Sequence, residues 1–237
     1  MNRRTLLSNA GLALAGLGMG ACTTAARRTV AAPVAPRRPM VHLPLVKVSA
    51  DRVIRQTVGL RPHRPSGFVL KSAALDQKTV IHNYGHGGSG MSLSWGTATM
   101  AAEMALAHSE RRAAVLGSGV VGLTTARQLQ RRGFAVTIYT DKVPPDVTSN
   151  WSLAAWTPTS GLVEFAKRTP EWSTQLVEAA EIAYRQLQFM TGPRYGISWI
   201  TNYSPTESAE SARGENALLP RHLQSEQTLL QPGEHPF

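Results

Sequence analysis

Gly117, Gly119 and Gly122 stand in a G-x-G-x-x-G spacing, and Asp141 follows 19 residues after the last of them. Such a pattern can cradle a dinucleotide. The first glycine permits a tight turn. The second lets a pyrophosphate approach the main chain, and the third lets helix and strand pack closely. The helix start then stabilises the phosphates, and the acid accepts from the adenosine ribose. A flexible glycine turn has the same spacing, so the surroundings decide. Here an apolar strand, Ala113–Leu116, precedes the motif, a helical pattern follows, and Asp141 closes the next strand. Asp141 also opposes a 2′-phosphorylated cofactor, because two negative groups would meet.

A second glycine-rich run comes earlier: His82-Asn83-Tyr84-Gly85-His86-Gly87-Gly88-Ser89-Gly90. A strand ends in it and a helix begins after it. Glycines there let the backbone touch a flat ligand, while the helix start offers N–H donors and a positive field. His82 and His86 are four apart, but the glycines oppose a helix between them. A zinc pair is therefore not expected, and both are read as structural histidines, with no metal site.

These two runs resemble parts of the D-amino-acid oxidase family of FAD-dependent oxidoreductases. Val80–Gly88 and Gly59-Leu60-Arg61-Pro62-His63-Arg64-Pro65 are similar to the two closing signatures of that family. The resemblance implies that Arg61 binds the substrate carboxylate, a task for which its planar fork is suited. It implies that the Gly88 carbonyl accepts from the substrate amine. It also implies that Gly87, Gly90, Met91 and Ser92 line the flavin. Ser118, Val121, Asp141, Lys142, Thr148 and Ser149 match cofactor-contacting positions, beside the glycines of the dinucleotide motif. Two departures accompany the likeness. Ser89 stands where many members carry an aromatic residue, and Ser152–Trp156 lacks the glycine usual beside the flavin ring.

The order of the two runs is reversed relative to the family, in which the dinucleotide motif opens the chain. A circular permutation is expected, with Ser109-Glu110-Arg111 joining formerly separate ends in a length typical of tight connections. The implied reaction is oxidation of a D-amino acid: hydride from Cα to flavin N5, oxygen to peroxide, and hydrolysis of the imino acid. No general base is needed if the amine arrives neutral.

These motifs need elements to hold them. Arg52–Gly59 alternates as a strand does, Phe68–Lys71 and Lys78–His82 read as two more, and a helix runs from Ser92 or Ser94, either a possible cap, to about His108. Next comes a βαβ unit. Its helix, Val120–Arg132, turns Val121, Leu123, Thr125, Ala126 and Leu129 to the sheet and leaves Arg127, Gln128, Gln130 and Arg131 in water. Gly133 ends it. Thr169-Pro170 starts another helix, with Thr as cap and Pro at the first position. Tyr195–Ile200 reads as a strand. The fold class is α/β: a Rossmann-like FAD-binding domain over residues 46–200, with 46–108 matching the family's C-terminal part and 112–158 its N-terminal part. Residues 201–237 read as a tail that begins a substrate domain most of which is missing, and a truncated product is expected.

The charge of +10 belongs mostly to the first 50 residues, which hold seven of the 25 Lys and Arg and no acid. The remainder is near neutral, so no nucleic-acid partner is expected. Arg3-Arg4, an apolar stretch from Ala10 to Ala21, and Met19-Gly20-Ala21-Cys22 read as a twin-arginine lipoprotein signal over residues 1–22, with Cys22 lipidated. The partners expected are the twin-arginine export machinery, a membrane reached through the Cys22 anchor, and an amino-acid substrate. The site expected is periplasmic or cell-envelope. Residues 23–45, rich in Pro, Ala and Arg, read as a disordered linker. The lone cysteine excludes an intrachain disulfide. Two rival readings are a non-catalytic lipoprotein remnant of such an oxidase and a nicotinamide-dependent dehydrogenase. The second leaves the His82–Gly90 run unexplained.

Overall fold

The computed structural model describes residues 42–205, 218–225 and 228–230. The signal-peptide reading, Cys22 and most of the linker lie outside them. Two strands form a hairpin: β1 (Val69–Leu75) pairs antiparallel with β2 (Lys78–Tyr84) through the two-residue turn Asp76-Gln77. Helix α1 (Gly90–Leu106) follows directly. Then come β3 (Arg112–Leu116), α2 (Val120–Arg131) and β4 (Ala135–Tyr139), a βαβ unit whose strands pair in parallel. Helix α3 (Pro170–Phe189) is next, and β5 (Tyr203–Pro205) pairs in parallel with β6 (Thr228–Leu230).

Helix α1 is the centre of the arrangement, contacting α2, α3 and the hairpin. Its small side chains make this possible. Gly96, Ala98, Ala101, Ala102 and Ala105 are all buried. At Gly96 the α3 backbone comes so close that a Cβ would stand 1.8 Å from the Ala179 carbonyl oxygen. Two cores result. One gathers Phe68, Leu70, Leu93, Leu162, Trp172 and Leu176 between α1, α3 and β1. The other gathers Ala102, Ala105, Val115, Ala126, Leu129 and Phe134 between α1, α2 and β3. Each fully buried Leu or Phe contributes about 1.5–3 kcal/mol. Helix α3 is also tied to β1 by hydrogen bonds: Trp172 Nε1–H donates to the Phe68 carbonyl at 3.1 Å and Gln175 Nε2–H to that of Leu70 at 3.1 Å.

Local rules explain the helix ends. Thr169 Oγ1 accepts from the Trp172 N–H at 3.2 Å, with Pro170 at the first position. Gly133 follows α2 at φ 85°, a left-handed conformation that glycine adopts freely. Helix α1 begins earlier than expected. Ser89, not Ser92 or Ser94, is the cap residue, because Leu93 N–H already bonds the Ser89 carbonyl at 3.0 Å.

Four other expectations fail locally. Residues 53–60 form no regular element and pair with no strand among the described residues, and Ile54 is fully exposed. An alternating pattern makes a strand only where a partner edge exists. Tyr195–Ile200 contributes only isolated bridges through Ile197. Leu123 is exposed. Gln128 is buried, because its Oε1 accepts from Arg132 Nη1–H at 2.8 Å. Among the described residues the β3–β4 pair is covered on its helix side only, so Leu116 and Tyr139 face outward at 82% and 58% exposure.

Candidate functional site

The run after β2 folds back on itself before α1 begins. Gly85 and Gly87 take positive φ, 86° and 55°. The Ser89 N–H bonds the His86 carbonyl at 2.9 Å. Ser89 holds the cap position of α1 but does not cap it. Its hydroxyl donates instead to the Ser160 carbonyl at 3.1 Å. Among the described residues the first-turn N–H groups of Gly90, Met91 and Ser92 therefore have no side-chain acceptor, the condition under which a helix start offers donors to a ligand.

His86 anchors this loop from beneath. It is 1% exposed, stacks on Phe68 at 5.3 Å, and its Nε2 lies 3.0 Å from Thr97 Oγ1. The Thr97 hydroxyl also lies 3.4 Å from the Leu93 carbonyl, to which it can donate. Burial holds its imidazole down at about 4, well below the ordinary histidine value. His82 is half-buried, edge-on to Tyr84.

The structure brings Arg61 and Gly88 together. A Cβ on Gly88 would stand 2.7 Å from Arg61 Nη1 and 2.7 Å from the Ser160 oxygen. The Ser160 carbonyl, which is backbone and cannot yield as a side-chain tip can, is what requires glycine here. The Arg61 side chain is exposed and forms no ion pair among the described residues. Its fork is open to an anion. Ser92 is 2% exposed, and its hydroxyl is spent on protein: it donates to the Ala155 carbonyl at 3.2 Å and accepts from the Thr157 N–H at 2.8 Å. Ser92 thus fastens the 155–157 segment to the start of α1.

The second loop opens α2. Gly117 takes φ 101°, and its N–H bonds the Tyr139 carbonyl at 2.7 Å, joining the loop to the end of β4. A Cβ on Gly122 would stand 2.1 Å from the Gly117 oxygen, so the third glycine allows close helix–strand contact. Val121 is half-buried in the first turn. Ser149 Oγ accepts from the Val120 N–H at 2.9 Å, and Gly119 leaves it room. Ser118 is buried and donates to the Lys142 carbonyl at 2.5 Å. Asp141, Lys142 and Thr148 are exposed, with Asp141 just beyond β4.

Glycine at Gly87 and Gly88, the α1-start amides that no described side chain accepts from and the Asp141 carboxylate, without an ion pair among the described residues, suit a flat cofactor with a phosphate-bearing tail. A flavin dinucleotide fits these residues. One neighbouring segment is strained: Ala154 takes φ 55°, and Leu153 beside it is 99% exposed. A cleft of about 210 Å³ lies elsewhere, lined by Glu181, Tyr184, Arg185, Gln188, His222 and Leu223, none of which belongs to either loop.

Three participants were given no role by the sequence: His63, which lies inside the Gly59–Pro65 signature, and Ser160 and Gly161, which lie in none. His63 Nδ1–H donates to the Gly161 carbonyl at 3.0 Å. The Gly88 N–H donates to the Ser160 carbonyl at 3.1 Å. The Thr159-Ser160-Gly161 composition marks a turn, but nothing in it indicates which loop the turn would meet.

The FAD dependent oxidoreductase (DAO) family pattern matches residues 112–233, beginning at the first residue of β3. The chain is 39% identical over 59 residues to a D-amino-acid oxidase of Streptomyces coelicolor and 46% identical over 59 residues to one of Rubrobacter xylanophilus. Each match covers 25% of this chain and 18% of the relative. It is 47% identical over 55 residues to a D-aspartate oxidase of Homo sapiens, covering 22% of this chain and 16% of that protein. The chain thus spans less than a fifth of the length of the curated relatives it matches. No solved structure matches it. With the DAO pattern over more than half its length and a βαβ unit at its glycine motif, the chain belongs to the DAO family of FAD-dependent oxidoreductases, with the Rossmann-like α/β fold that membership implies.

Proposed function

We propose that this chain binds FAD and oxidises a D-amino acid at Cα. One observation carries the reading: Arg61 lies against Gly88, beside a helix start whose amides no described side chain caps. Similarity to proteins named D-amino-acid oxidase and D-aspartate oxidase supports the substrate class. When bound, the flavin supplies the two-electron oxidant, with hydride received at N5 and oxygen reduced to hydrogen peroxide.

The chain's own residues orient the reactants. Arg61 holds the carboxylate bidentately and so sets where Cα lies. The Gly88 carbonyl accepts from the amine, and its N–H is already committed to Ser160. The α1 amides of Gly90, Met91 and Ser92 would offer a positive field to negative charge on a bound flavin. Gly117–Gly122 and Ser149 would hold the pyrophosphate, and Asp141 the ribose.

The order of the two loops is read as a circular permutation. The family match begins at residue 112, downstream of the His82–Gly90 loop. The joint is short, and Glu110 secures it by accepting from the Arg111 and Arg112 N–H groups, each at 2.9 Å. An export signal with its lipid anchor at Cys22 would place the protein in the cell envelope.

A second reading is a non-catalytic protein that keeps the cradle. Leu116 and Tyr139 on the dinucleotide sheet, without cover among the described residues, favour it. The deciding experiment purifies the full chain, records its visible spectrum, and measures peroxide release with a panel of D-amino acids that includes D-aspartate. Flavin bands with turnover are expected. Flavin without turnover supports the second reading, and a colourless protein that takes up no added FAD overturns both.

A further inference from the structure

We propose that His63 is a positioning residue for the carboxylate site, acting through the Ser160–Gly161 turn. The proposal rests on the role given above to Arg61. The His63 N–H bonds the Arg61 carbonyl at 2.7 Å, so the two residues share one tight turn. Both side chains meet Gly161. The His63 imidazole donates to its carbonyl at 3.0 Å, and a Cβ on Gly161 would stand 3.3 Å from Arg61 Nη1. The same short segment holds the other half of the site. The Ser160 carbonyl accepts from the Gly88 N–H and from Ser89 Oγ, each at 3.1 Å. A Cβ on Gly87 would stand 2.1 Å from the Gly161 oxygen. The buried Thr159 and Leu162 seat the turn from either side. Without the imidazole, Gly161 loses its only side-chain donor among the described residues. The guanidinium then loses the surface that fixes its direction.

The test uses the full chain and benzoate, a carboxylate with no oxidisable Cα, titrated by calorimetry. His63→Ala should weaken benzoate binding about fivefold, the range expected for one hydrogen bond. His63→Asn, whose amide can donate near the Nδ1 position, should stay within about twofold of wild type. Arg61→Ala should abolish binding. The proposal is overturned if His63→Ala binds benzoate as wild type does, if His63→Asn fails to rescue it, or if wild type shows no Arg61-dependent binding. Arg61- and His63-dependent binding by a chain that takes up no FAD would sink the flavin reading and leave this proposal standing.

Discussion

The starts of α1 and α2 use the same device, a glycine loop leading into a helix, and finish it differently. At α1 the cap residue Ser89 turns its hydroxyl away to Ser160, leaving the first-turn amides without a side-chain acceptor among the described residues. At α2 the cap is Gly119, which has no side chain to offer, and Ser149 lends a hydroxyl from 29 residues away. The α1 loop is pinned by a buried histidine beneath and by backbone carbonyls above. The α2 loop is pinned by strand ends. A glycine loop is therefore not by itself a binding site. What its neighbours leave unsatisfied decides how much of the helix start a ligand can use.

The difference can be tested from the strongest perturbation down. Gly87→Ala should cost at least about 3 kcal/mol, since its Cβ would meet the Gly161 oxygen at 2.1 Å in a left-handed backbone. Urea unfolding would measure this, and a loss below about 1 kcal/mol would mean that the two segments do not touch. Next is acid. His86 is held at about 4 when folded and returns to an ordinary value near 6.5 when unfolded. The unfolded chain therefore binds the extra proton between those values. Stability should fall as pH drops from about 6.5 to about 4, by up to about 3 kcal/mol, and then level off for this group. Comparing urea midpoints at pH 7.5 and 4.5 for wild type and His86→Asn checks it. The histidine's share of the fall should vanish in the variant. Because the α2 loop holds no such group, amide exchange at low pH should loosen Gly87–Ser89 before Gly117–Gly119.

Ser149→Ala comes third. It should cost about 1 kcal/mol, the usual worth of a lost cap, and speed hydrogen exchange at the Val120 amide. Ser89→Ala should leave exchange at Gly90, Met91 and Ser92 unchanged, and equal acceleration in both variants would erase the contrast. The smallest effect is at Ala154. Replacement by glycine relieves its φ of 55°, giving a gain of about 0.5 kcal/mol after the entropy cost of glycine. A loss on thermal unfolding would refute the strain.

Much of this was legible in the sequence. The βαβ unit, the Thr169 cap and the Gly133 stop follow from local rules that tertiary contacts did not override. The Arg61 and Gly88 pairing was legible only through resemblance, since 27 residues separate them and no local rule joins them. The rest depended on partners. Arg52–Gly59 alternates correctly but finds no edge to pair with, and Gly59 packs against Thr148 and Trp151 instead. Gln128 reads as wet until Arg132 folds back onto it. Ser92 reads as a cap or a ligand contact, yet its hydroxyl is claimed by Ala155 and Thr157, whose positions depend on the whole domain.

The Ser160–Gly161 turn has a consequence for how the protein comes to be folded. Its bonds close long stretches of chain, 71 residues from Ser89 to Ser160 and 98 from His63 to Gly161. Each closure must overcome loop entropy before its contact yields any return, so such contacts form slowly. Helices α1 and α2 and the hairpin, built from near neighbours, can assemble first. Arg61 and Gly88 would then meet their turn among the last events of folding. A nascent chain would carry both signature loops well before it had a site.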